Sequence, residues 1–326
     1  MKEAFAQYFS FLATWDLHES KKDFTEYGVP DKSLYFFQMM ELEKEMLKEH
    51  RQKSLYQDGR PMIETMNYVY ERGAIFVRML SNIFGEGMFQ NKVRSFIKKY
   101  EFKNVDHEQL WEELESSNPF KATNVSLSKI FNSWIMQDGV PIVSVNSCQT
   151  NDTCQNKLFL KQQKYSSSLR NNNESLPSIW FIPITFSIVY NENGQFKWFP
   201  STSKPTKFLM PQTTETVVYE HSFLPSLGSK SALILNMNHT GMYHVTYDEQ
   251  SWKNIGKILK ENVDIFPVGT RRMLFWSLKL SLKRKEIKVS LFLCIGEYAQ
   301  VSVCSKSFYE FKSTINNTSK LKKLNQ

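Results

Sequence analysis

The period of the apolar residues changes twice along this chain, and with it the kind of structure each stretch can form. Phe5, Tyr8, Phe9 and Leu12 recur at helical spacing, as do Tyr70, Gly73, Ala74, Val77 and Leu80, and then Phe89, Val93, Phe96, Ile97 and Tyr100. Apolar residues three and four apart share one helix face, so the chain up to about residue 138 is predicted to be a block of amphipathic helices. Breakers at Gln57-Asp-Gly-Arg-Pro61 and Phe84-Gly-Glu-Gly87 divide that block.

From Val140 the texture turns to short runs of β-branched and aromatic residues between polar loops. Trp180 to Tyr190, then Asn193-Gly194, then Gln195 to Phe199 reads as a hairpin. Glu215 to Tyr219, Ala232 to Leu235 and Tyr243 to Tyr247 extend this into a small antiparallel sandwich. Helical spacing returns at Trp252, Ile255, Ile258 and Leu259 and is predicted to run to about Phe311. The polar stretch Ser166 to Ser175 is predicted as a surface loop.

At 326 residues the chain exceeds the usual span of a single core, which predicts two or three domains. The formal charge of +8 comes from 41 basic and 33 acidic side chains. Its clusters, Lys279 with Lys283, Arg284 and Lys285 and then Lys320 with Lys322 and Lys323, stand beside no Gly-rich or aromatic signature, so a nucleic-acid partner is not expected. No stretch approaches the ~18 apolar residues of a membrane span, and the first residues lack the basic start and apolar core of a signal peptide. Six N-x-S/T sequons, starting at Asn124, Asn151, Asn173, Asn238, Asn316 and Asn317, hint at a secretory lineage. Four cysteines form two locally spaced pairs, Cys148 with Cys154 and Cys294 with Cys304. They suit short disulfide loops in an oxidising compartment, with free thiols the more ordinary reading and a metal site the least expected.

Five segments, in order, resemble one family. Lys2-Glu-Ala-Phe-Ala6 is similar to N-E-G-F-A, and Tyr70-Glu-Arg-Gly-Ala74 with Arg78-Met-Leu80 to Y-x-K-G-A…R-M-L. Trp134 with Gly139-Val-Pro141 is similar to W…G-[YF]-P, and Leu176-Pro177 with Trp180 and Ile182-Pro183-Ile184 to L-P-x-x-W-x-I-P-L. Asn236 with Gly241-Met-Tyr-His-Val245 and Tyr247-Asp248 is similar to N…G-Y-Y-R-V-N-Y-D. Together they resemble the aminopeptidase N-like zinc aminopeptidases, the gluzincin family that includes the endoplasmic-reticulum aminopeptidases.

The resemblance implies an α+β multidomain chain. Residues 1–139 would be the helical part of a thermolysin-like catalytic domain, 140–240 a β-sandwich domain and 241–326 the start of a helical C-terminal domain. It implies that Glu3 is a zinc ligand and that Tyr70 is catalytic, steadying the oxyanion of a tetrahedral intermediate as preorganised donors do. Zinc as cofactor, a peptide as substrate and an extracellular, cell-surface or secretory setting follow from the same likeness.

A zinc peptidase needs three protein ligands and an open position for water. H-E-x-x-H, which carries two ligands and the general base in that family, occurs nowhere in the sequence, and neither does G-A-M-E-N. The six histidines, His18, His50, His107, His221, His239 and His244, include no i,i+4 pair. The expectation is therefore a truncated family member that does not bind zinc stoichiometrically or cleave peptides alone, the alternative being a non-catalytic scaffold for peptide or protein. Without the zinc helix to cover Phe5, Phe9 and Tyr70, an exposed apolar patch and self-association are also expected.

Overall fold

The computed structural model describes residues 2–21, 66–147, 157–165, 178–200, 206–220 and 230–300. The first helical block holds α1 (Lys2–Lys21), α2 (Met66–Phe84), α3 (Glu86–Lys99), α4 (His107–Glu115) and α5 (Leu127–Ile135). The break between α2 and α3 falls on Gly85, whose φ of 86° suits a residue without Cβ. Asp106 starts α4 through a capping box: its carboxylate accepts the Glu108 and Gln109 amides, while the Gln109 side chain accepts the Asp106 amide. Ser126 caps α5, and Glu115 Oε2 accepts the Leu127 amide at 2.7 Å, tying the end of α4 to the next helix.

Among the described residues eight strands follow: β1 (Pro141–Ser147), β2 (Lys157–Lys164), β3 (Ile182–Glu192), β4 (Gln195–Phe199), β5 (Thr206–Met210), β6 (Val217–Glu220), β7 (Ser231–Leu235) and β8 (His244–Tyr247). One sheet runs β6-β2-β1-β8; in the other, β3 pairs with β4, β5 and β7. The predicted hairpin is β3–β4, with Glu192 opposite Gln195, and Asn193 and Gly194 both at positive φ as a primed turn requires. The sandwich is antiparallel except for β1 and β8, which pair in parallel from Ile142–His244 to Val145–Tyr247. A tight turn cannot join parallel neighbours, and here most of the sandwich forms the connection.

Two buried tyrosines bind the sheets to each other. The Tyr247 hydroxyl on β8 accepts the Leu235 amide of β7 at 3.0 Å, and the Tyr243 hydroxyl accepts the Thr185 amide of β3 at 3.3 Å. Burial pushes both phenols far above their ordinary range, so each stays protonated.

The chain turns helical again directly after β8. Asp248 accepts the Ser251 amide at 2.7 Å and so caps α6 (Glu249–Glu261), followed by α7 (Val268–Lys283) and α8 (Val289–Gln300). The predicted helical end beyond residue 300 and the predicted loop Ser166 to Ser175 lie outside the described residues. Helices and both sheets share one continuous apolar core, with Trp111, Trp134, Trp180 and Trp252 fully buried. The architecture is α+β. Among the described residues no helix is long and apolar enough to cross a membrane.

Candidate functional site on the first two helices

Glu3 and Tyr70, 67 positions apart, meet because α1 and α2 cross at two small residues. A Cβ placed on Gly73 would stand 2.4 Å from the Cβ of Ala4, too close for non-bonded carbons, so the backbones approach only because position 73 has no side chain. The crossing puts the first turn of α1 beside the second turn of α2. The Tyr70 hydroxyl donates to the Glu3 carboxylate, and that bond lifts the phenol above its ordinary pKa. Lys2 lies 3.9 Å from Glu3 as a surface ion pair. The segments Lys2-Glu-Ala-Phe-Ala6 and Tyr70-Glu-Arg-Gly-Ala74 are thus two halves of one contact.

Two arginines on α2, which in the sequence stand out only as parts of the segments Tyr70-Glu-Arg-Gly-Ala74 and Arg78-Met-Leu80, hold that helix to the rest of the molecule. Arg72 is fully buried, and its guanidinium donates to the carbonyls of Trp134, Gln137 and Gly139 at 3.4, 3.2 and 2.8 Å. It thereby anchors α2 to the end of α5 and to the exit into β1. Arg78, six residues on, donates to the carbonyls of His239 at 2.6 Å and Asn238 at 3.0 Å in the turn between β7 and β8. The signal available in the sequence was two arginines inside an otherwise apolar helical run, a pattern that calls for buried acceptors. Trp134 completes the joint by donating from Nε1 to the Phe181 carbonyl at 2.8 Å.

A zinc ion is not matched by the donors at this site. Glu3 brings one carboxylate, already engaged by Tyr70, where zinc needs three protein ligands. Among the described residues, no group of three or more His, Cys, Asp or Glu is gathered to hold a metal. His239 and His244 do come together, with ring centroids 5.8 Å apart, but beside Arg78 rather than Glu3. His107 stands against Trp111 on α4. His18, His50 and His221 lie outside the residues whose side chains are described, as do Cys148, Cys154 and Cys304; Cys294 is exposed on α8.

Phe5 and Phe9 of α1 are half-buried and line an apolar groove of about 650 Å³ with Val93, Phe96, Ile97 and Leu110 of α3 and α4. Ile97 is 62% exposed, and the nearby Phe102 is wholly exposed.

Residues 1–134 match the Peptidase family M1 domain. The chain is 27% identical over 205 residues to the rat protein named aminopeptidase N, a match covering 62% of this chain and 19% of that protein. It is 25% identical over 237 residues to human aminopeptidase Q, covering 71% and 22%. With human thyrotropin-releasing hormone-degrading ectoenzyme it shares 24% identity over 214 residues, covering 62% and 18%. The chain thus spans about a fifth of the length of these curated relatives. The chain is therefore similar to the Peptidase family M1 domain over residues 1–134, and to curated aminopeptidases over about two thirds of its length.

Proposed function

We propose that the family chemistry behind this chain is removal of N-terminal residues from peptides by zinc-activated water, and that these 326 residues alone do not perform it. In this reading Glu3 is a ligand position and Tyr70 an oxyanion donor whose partners are not among the described residues. The observation that carries the reading is that Glu3 stands beside Tyr70, while among the described residues no group of three or more His, Cys, Asp or Glu is gathered. The blocks 1–139, 140–240 and 241–326 are proposed as the helical part of the catalytic domain, the sandwich and the C-terminal helical domain.

The test is an assay of the purified chain on aminoacyl reporter substrates with zinc added. The expected result is no hydrolysis above buffer. Hydrolysis that survives repurification and disappears in Tyr70→Phe would overturn the proposal.

A second reading, a non-catalytic scaffold, draws support from the joints built by Arg72, Arg78 and Trp134, which link the helices to the sandwich without any catalytic group. The groove beside Phe5 and Phe9 supports self-association as part of that reading. A single specific partner recovered at fixed stoichiometry would favour it over the peptidase reading.

A further inference from the structure

The turn from Asn236 to His244 is small, buried and strained. Asn236, Asn238 and His239 all take positive φ, between 52° and 53°, a region that costs about 1 kcal/mol or more for a non-glycine residue. Asn236 pins the turn from within: its Oδ1 accepts the Gly241 amide at 2.7 Å, and its Nδ2 donates to the carbonyls of Gly241 and Tyr243. A Cβ on Gly241 would lie 2.3 Å from the Tyr243 ring, so this tight path needs glycine there. From outside, Arg78 of α2 grips the carbonyls of Asn238 and His239, while Thr270 of α7 accepts the Asn238 amide at 3.1 Å.

Two imidazoles sit inside this arrangement. His239 and His244 are both buried, with ring centroids 5.8 Å apart, and Nε2 of His244 has no hydrogen-bond partner among the described residues. Burial and charge around them favour the neutral form; a hydrogen bond with the Tyr243 backbone favours the charged form of His239. Arg78 faces them from α2, and Tyr165, at the end of β2, lies 5.9 Å from the His244 ring. Tyr243 stands between the two in sequence, its buried phenol held protonated. On β1 the partner of His244 is the apolar Ile142. On α7, Arg271 next to Thr270 is paired with Asp264 at 2.8 Å.

We infer that this turn is an acid-sensitive latch: protonation of His239 and His244 places two imidazolium charges beside Arg78 and releases the grip of the β7–β8 turn on α2. The physical basis is that a buried imidazolium meets desolvation and like charge together, whereas the opened turn lets both rings reach water. Burial first, then His244 and Arg78, hold His239 well below its ordinary value, and burial holds His244 at about 4. The opened state takes up the protons that the closed state refuses. The latch is therefore fully closed above the ordinary histidine value of 6.5 and weakens as pH falls from there toward about 4. This inference does not depend on the peptidase reading.

The test is hydrogen exchange of the full chain at several values between about pH 7 and pH 4.5, corrected for the intrinsic rate. With two protons taken up on opening, the opening constant rises about a hundredfold per pH unit below the ordinary histidine value. The loss of protection is expected first in residues 76–84 and 236–246. In the H239Q/H244Q variant the opening constant is expected to be nearly independent of pH over the same range. Should that variant not fold, titration of the two histidine ring protons by NMR in the wild-type chain decides: both are expected to remain neutral at pH 5.5 while the latch is closed. Protection that falls evenly over the molecule, parallel pH dependence in variant and wild type, or either ring titrating near its ordinary value would overturn the latch.

Discussion

Arg72 ties three parts of the fold together. One Nη2 group serves three carbonyls at the corner where α2, the end of α5 and the start of β1 meet. The family pattern that this sequence resembles has lysine there, and the two cations differ: lysine is a compact point charge with three donors, arginine a planar fork. Arg72→Met removes the cation and leaves buried carbonyls unpaired, so it is expected to cost about 3 kcal/mol of unfolding free energy. Arg72→Lys keeps a charged donor within reach and is expected to cost about 1 kcal/mol. Urea denaturation of the three proteins checks the order; a lysine variant as unstable as the methionine variant would mean that the fork, and not the charge, fills the corner. None of this could be read from position 72 alone, because its acceptors lie 62 to 67 residues downstream. A sequence window shows that an arginine interrupts an apolar face, but it does not show what that arginine finds.

At the level of elements, the helices were legible because their apolar spacing is dense: Ala74, Val77 and Leu80 on α2 and Phe89 and Val93 on α3 are buried as that spacing demands. The β3–β4 hairpin was legible for the same kind of local reason, Asn193-Gly194 being suited to positive φ at both turn residues. Strand β2 was not. Its sequence, Lys-Leu-Phe-Leu-Lys-Gln-Gln-Lys, reads as mostly polar, yet Gln162 is buried, its amide pairing with both the N–H and C=O of Trp180. A polar side chain that replaces a strand partner carries no hydrophobic signal. The crossing of α1 and α2 was only half visible: Gly73 was counted as part of a helical face, whereas its lack of Cβ sets the distance between the helices. Gly73→Val is expected to destabilise the chain by about 2 to 3 kcal/mol, since neither backbone can retreat without opening the core. Adding Ala4→Gly removes the nearest clashing carbon and is expected to restore part of that loss, a coupling that a double-mutant cycle measures directly. Equal instability of the single and double variants would place the strain elsewhere.

For the molecule as a whole, the resemblance named the residues of the candidate site, and the structure shows how two of them are placed. Glu3 and Tyr70 face each other across a helix crossing built from small residues, and α2, which carries Tyr70, is held by arginines at two further points. Among the described residues, this pair of groups is not joined by the further donors that a zinc site needs. What the sequence shows is that H-E-x-x-H appears nowhere in it. It could not announce that the two remaining groups would satisfy each other, because that depends on how closely two distant helix ends approach. Equilibrium dialysis of the chelator-treated chain against zinc, followed by metal analysis of wild type and Glu3→Ala, shows whether Glu3 holds zinc in this chain. Far less than one zinc per chain is expected, with no difference between the two proteins; one zinc per wild-type chain, lost in Glu3→Ala, would mean that Glu3 has its remaining ligands within these residues.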